Sequence, residues 1–250
     1  MTNLIARRPL TFSVVAVLIP IVVIKLLDAG VATLGNPDLA GRLVIEVWFA
    51  GYVGVLLTRL HWWRRAGFGR PEVPRRLLVT LPLFLLPLIV LAGGGVKSAG
   101  VDQQVGFVLF TALVGLAEEG LLRGVVLQAL LPTGTPRAVL VSAAIFGLGH
   151  LGNILTGSSA PMTAVQVLED AFLGIAAAGA CIYAGTIWPA VVFHTLVDLF
   201  DAAGRGFAFP SPQPVTARVL VPIVLTGLCA LYGWWLVRRA IRESPVESEA

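Results

Sequence analysis

Long apolar runs broken by short polar segments recur along the whole chain. They read as eight candidate helices, near residues 10–34, 43–63, 77–96, 104–131, 138–156, 163–184, 186–201 and 216–237. A helix needs roughly 20 mostly apolar residues to cross a bilayer, and the seventh run is the shortest. Backbone polar groups find no water in lipid, so spans of this kind must be helical. The predicted fold is all-α: a polytopic transmembrane helix bundle of about eight spans with a polar intramembrane cavity. One integral membrane domain covers residues 1–242, and 243–250 read as a disordered polar tail. The stretch 201–214, with three prolines and two glycines, reads as an extramembrane loop.

Arg7 and Arg8 ahead of the first run raise the question of a secretory signal. The run is long for one and no small-residue cleavage site follows, so it reads as a retained helix. Lys25 and Asp28, near its end, are expected at the interface, where a long cationic chain snorkels to water.

Composition supports the membrane reading. The chain is 57% hydrophobic and 13% charged, against about a quarter charged in soluble domains. Arginine then orients the bundle. Arg7, Arg8, Arg59, Arg64, Arg65, Arg70, Arg75, Arg76, Arg137, Arg238, Arg239 and Arg242 fall on one side; Arg42, Lys97, Arg205 and Arg218 fall on the other. The positive-inside rule makes the first side cytoplasmic, with both termini cytoplasmic in a cell membrane. The net charge of +4 reflects that topology and contact with anionic headgroups; nucleic acid is not expected as a partner. Cys181 and Cys229 lie in separate spans, which argues against a disulfide framework or a structural zinc site.

A few ionisable residues lie deep inside spans: Glu118, Glu119 and Arg123 in the fourth, His150 in the fifth, His194 and Asp198 in the seventh. A charge at that depth costs about 2.5–3.5 kcal/mol on insertion scales, so it marks function by default. Glu119 and Arg123 are four apart and share a helix face, with the glutamate in the favourable N-terminal position. Glu118 is rotated about 100° from Glu119 and is left to face a cavity, as a general base must be. His194 and Asp198 are also four apart, a spacing that lets the carboxylate orient the imidazole. Phe146, His150 and Asn153 share a face. Depths from the cytoplasmic ends come to roughly 20 Å for Glu118, 18 Å for His150 and 12 Å for His194, so the three helices can bring these groups together. Glu169 and Asp170 are expected to reach an interface or a polar cavity. Gly120 and Gly124, spaced as GxxxG, read as helix-packing residues.

These residues form three ordered motifs: EExxxR at Glu118–Arg123, FxxxH at Phe146–His150 and HxxxD at His194–Asp198. Together with Phe172, Gly174, Gly179, Tyr183, Gly185, Thr186, Ile187, Trp188 and Pro189, they resemble the CAAX-protease and bacteriocin-processing (Abi) family of intramembrane glutamate endopeptidases. The resemblance covers residues 107–200. It implies a peptidase acting on a membrane-associated protein or peptide. Glu118 would activate the attacking water, His150 would position or deprotonate it, and His194 with Asp198 would stabilise the oxyanion. Glu119, Arg123, Phe146 and Asn153 would support the site. The family's prenyl-protein proteases usually carry asparagine where this chain has Asp198. An ionised carboxylate cannot donate to an oxyanion, so the imidazole of His194 would have to donate. No cofactor is expected. The alternatives are a zinc-dependent protease of the same fold, with the ion between Glu118, His150 and His194, and a non-catalytic membrane immunity or binding protein. A proton-coupled transporter is a further reading, although no pair of broken helices in matching halves is visible.

Overall fold

The computed structural model describes residues 2–33, 39–71, 73–207 and 219–243, and their regular structure is all helical. A short helix at Thr2–Arg7 leads into eight longer elements: α1 (Pro9–Thr33), α2 (Leu39–Leu60), α3 (Arg76–Gly94), α4 (Val101–Thr133), α5 (Thr135–Leu155), α6 (Ala160–Ala184), α7 (Trp188–Gly204) and α8 (Leu220–Glu243). All but α7 are long and apolar enough to cross a membrane, giving seven candidate spans and a multi-pass membrane protein.

The eighth expected span, 186–201, is not among these seven. It is α7, of 17 residues, shorter than a conventional span at 1.5 Å rise per residue. It packs on α3 from Phe84, whose ring meets Phe193 edge-on at 6.0 Å, to Gly94. At one end the Ile187 N–H donates to Gly67 O at 3.1 Å, close to where Arg76 at the start of α3 meets Tyr183 O at 3.5 Å and Glu243 at 3.3 Å. At the other end Gly204 packs backbone to backbone on Gly94, and the Lys97 N–H donates to Ala203 O at 3.0 Å. The expected loop over 201–214 begins later than its prolines suggest, because α7 continues through Gly204; 208–214 and the tail 244–250 lie outside the described residues.

The core is drawn from α2, α4 and α5, where Leu57, Leu121, Val125, Val126, Leu127, Ala138 and Val139 are fully enclosed. Many equally apolar side chains point outward, among them Leu26, Val44 and Leu231, the side a lipid solvent requires. With no hydrophobic drive between helices in lipid, close packing of small residues holds them together. The α6–α8 contact is the clearest case. A Cβ on Gly179 would strike the Gly233 carbonyl, and one on Gly233 would strike the Ala176 backbone. Gly120 and Gly124 likewise admit Val53 and Ala66.

Two local features position the site. First, α4 is α-helical only to Glu119; Gly120–Val126 is π-helical. Such wide turns concentrate at functional sites. Second, α5 is α-helical to Gly149 and winds on as a 3-10 helix, His150–Thr156. The tighter winding turns Asn153 towards α1. The Lys25 ammonium donates to Asn153 Oδ1 at 3.1 Å.

Candidate active site

Glu119 and Arg123 form the floor of the site, each side chain 1% exposed. Arg123 Nη1 donates to Glu119 Oε1 at 3.1 Å, and Nη2 donates to the Gly174 carbonyl of α6 at 3.1 Å. Arg123 Nε also lies 3.1 Å from Glu119 Oε2, an ion-pair contact without hydrogen-bond alignment. The guanidinium lies over the Phe146 ring at 4.9 Å. Two charges so deeply enclosed persist only when paired and bonded, which makes this pair a clamp between α4, α5 and α6.

Glu118 behaves differently. Its side chain keeps 24% exposure, and its nearest ionic partner is His194, Nε2 to Oε2 at 3.7 Å. A carboxylate with free lone pairs can take a proton from water; one locked by an arginine cannot.

His194 joins the two glutamates. Its Nδ1 meets Glu119 Oε1 at 2.9 Å, while Nε2 faces Glu118 at 3.7 Å and Asp198 at 3.5 Å. Helical spacing pointed to Asp198 as the residue orienting this imidazole, yet Glu119 makes the shorter bond. The neighbouring helix offers a carboxylate in line with Nδ1, whereas Asp198 sits one turn along α7 itself and stays 38% exposed.

His150 is held from two sides. Its Nδ1 lies 3.2 Å from Phe146 O and 3.1 Å from Asp170 Oδ2. With that nitrogen as donor, Nε2 is left without a described partner and can accept. Phe146 sits edge-on to both imidazoles, at 5.2 Å from His150 and 5.9 Å from His194. Glu119, Phe146, Asp170, Leu173, Phe193, His194 and Asp198 line a cavity of about 30 Å³, room for a water.

The structure therefore brings Glu118, Glu119, Arg123, Phe146, His150, His194 and Asp198 together, and leaves Asn153 one step away. Asn153 Nδ2 donates to Gln166 Oε1 at 3.0 Å, and Gln166 in turn bonds Asp170. Asp170 is the member that helical spacing does not assign. It lies on α6, twenty residues from His150, and no periodicity links them; its depth in an apolar run is the only signal. Glu46 of α2 is a second, within electrostatic reach of Glu118 and Asp198.

A zinc centre would need Glu118, His150 and His194 to converge on one point. Among the described residues no group of three or more His, Cys, Asp and Glu side chains is arranged to hold an ion. Both imidazoles turn Nδ1 to a carboxylate.

An apolar helical bundle enclosing carboxylates and histidines defines a class, the multi-pass membrane proteins with a polar site inside the spans. Within that class residues 101–200 match the family model described as type II CAAX prenyl endopeptidase Rce1-like. The matched stretch contains every site residue above except Glu46. No curated protein and no solved structure matches the chain. The matched family is described as one of endopeptidases.

Proposed function

We propose that this protein is an intramembrane endopeptidase that hydrolyses a peptide bond of a membrane-associated protein or peptide with a water activated by Glu118 and His150, without a metal. The observation that carries this reading is the division of labour between adjacent glutamates: Glu119 bonded to Arg123 and His194, Glu118 free of any arginine, 24% exposed and 3.7 Å from His194 Nε2. Glu118 takes a proton as the water attacks the carbonyl, and His150 Nε2 aligns that water. Negative charge then grows on the carbonyl oxygen. His194, aligned by Glu119 through Nδ1, is placed to donate from Nε2, and preorganised donors of this kind stabilise an oxyanion most in a dry site. Asp198 steadies the imidazole rather than donating itself. Proton return from Glu118 to the leaving amine completes the cycle.

The bundle sits in the cell membrane with the arginine-rich ends of the helices and both termini on the cytoplasmic side, α7 crossing with the rest.

The test compares wild type with Glu118→Ala and His150→Ala on a fluorogenic peptide library in detergent, folding being checked by matched gel-filtration profiles. Loss of a positioned acid–base group costs about 10²–10⁴ in rate. Cleavage that survives Glu118→Ala rules the mechanism out.

A further inference from the structure

A second cavity lies at the arginine-rich end. It measures about 200 Å³ and is lined by Arg64, Arg65, Gly67, Arg123, Gln128 and Thr186 among others, with no carboxylate in its lining. The loop after α2 builds one wall. Gly67, at φ +82°, has no room for a side chain, since a Cβ would lie 2.8 Å from the Ile187 nitrogen. Its carbonyl accepts from Thr186 Oγ1 at 2.9 Å and from the Ile187 N–H at 3.1 Å. The loop is thus strapped across the α6–α7 turn, and the cavity is a built feature.

Three guanidiniums meet there. Arg123 closes the inner end, its charge already shared with Glu119 behind it. Arg65 is fixed, stacked on Trp62 at 4.5 Å and donating to Gln128 O at 2.7 Å. Arg64 has no hydrogen-bond or ion-pair partner among the described residues and is free to close over a ligand. Convergent guanidiniums repel one another in a medium of low dielectric and match the oxygens of a phosphate in geometry and charge.

Depth selects the ligand. Trp63 and Trp188 stand exposed beside the cavity, both packed edge-on against Phe68 at 5.1 Å and 5.9 Å. Exposed tryptophans gather at the level of lipid headgroups, and that level on an arginine-rich side is where anionic lipids concentrate.

We propose that this cavity is a binding site for the phosphate of an anionic phospholipid headgroup, held by Arg64 and Arg65 against the fixed Arg123. Occupancy places a lipid anion on the far side of the arginine that clamps Glu119, about one side chain from the site.

The full chain, delipidated in detergent, is titrated with short-chain phosphatidylglycerol, short-chain phosphatidylcholine and inorganic phosphate, reading tryptophan fluorescence and Tm. Phosphatidylglycerol is expected to bind saturably and raise Tm, phosphatidylcholine to do neither, and inorganic phosphate to bind much more weakly. Arg64→Ala, in an exposed residue whose loss leaves the fold intact, weakens the lipid about tenfold or more, and Arg64→Ala/Arg65→Ala weakens it further. Arg70→Ala, an exposed arginine of the same loop outside the cavity lining, binds as wild type. Equal binding of both lipids, unchanged affinity in Arg64→Ala, or an acidic peptide that binds where phosphatidylglycerol does not, each overturns the proposal. Inorganic phosphate binding as tightly as the lipid also overturns it, in favour of a free-anion site.

Discussion

Replacing Arg123 by methionine keeps the length of the side chain and removes its charge. Glu119, 1% exposed, is then stranded with His194 as its remaining partner, and the Gly174 carbonyl loses its donor. Stranding one member of a buried pair costs about 3–5 kcal/mol. A chain of this size loses about 2–4 °C of Tm per kcal/mol, so the variant should melt roughly 6–20 °C below wild type. A thiol-reactive dye suits the measurement, because Cys181 and Cys229 are free and partly buried. Arg76→Met is the comparison. It breaks an ion pair of the same chemistry whose side chains are 32% and 35% exposed, and it should leave Tm unchanged within error because such pairs are screened by water and salt. Adding Glu119→Gln to Arg123→Met should recover part of the loss, since no charge is then stranded. If Arg123→Met melts with Arg76→Met, the clamp is not energetically buried and the distinction drawn between Glu119 and Glu118 fails.

Other variants probe separate parts of the structure. Gly233→Ala, measured by the same melt, should destabilise by about 1–3 kcal/mol through overpacking of α6 against α8, and Gly227→Ala, with only Phe172 nearby at 3.7 Å, should be much milder. Asp170→Asn should lower cleavage by less than His150→Ala does and shift the pH profile, because it frees the imidazole to turn rather than removing it; an unchanged profile would assign Asp170 to packing alone. Chelator should leave cleavage unaffected, and activity lost to chelator and restored by zinc would reverse the metal-free reading.

What the sequence reveals follows from cost. Charges at bilayer depth are expensive, so Glu118, Glu119, Arg123, His150, His194 and Asp198 stand out from apolar runs without any structure. Helical spacing pairs Glu119 with Arg123 because both lie on α4. It cannot pair residues on different helices, and for that reason the His194–Glu119 bond and the His150–Asp170 contact are invisible until the bundle is assembled. The Lys25–Asn153 bond is hidden for the same reason, since its partners lie on α1 and α5. Length decided the reading of α7, whose height is evident only from what its two ends touch.

The π-helical stretch Gly120–Val126 has a further consequence. A wide turn holds one residue more than an α turn, so everything beyond it is offset by about 100° from the phase set by Val101–Glu119. The helix is in effect a counted device: the winding before the stretch aims the glutamates, and the winding after it aims Val125, Val126 and Leu127 into the core. Removing Val125 or Val126 would keep the Glu118–Arg123 spacing, yet it would swing one half of α4 against the other. The chemistry of the site and the packing of the bundle are tied together by a number of residues as much as by their identity.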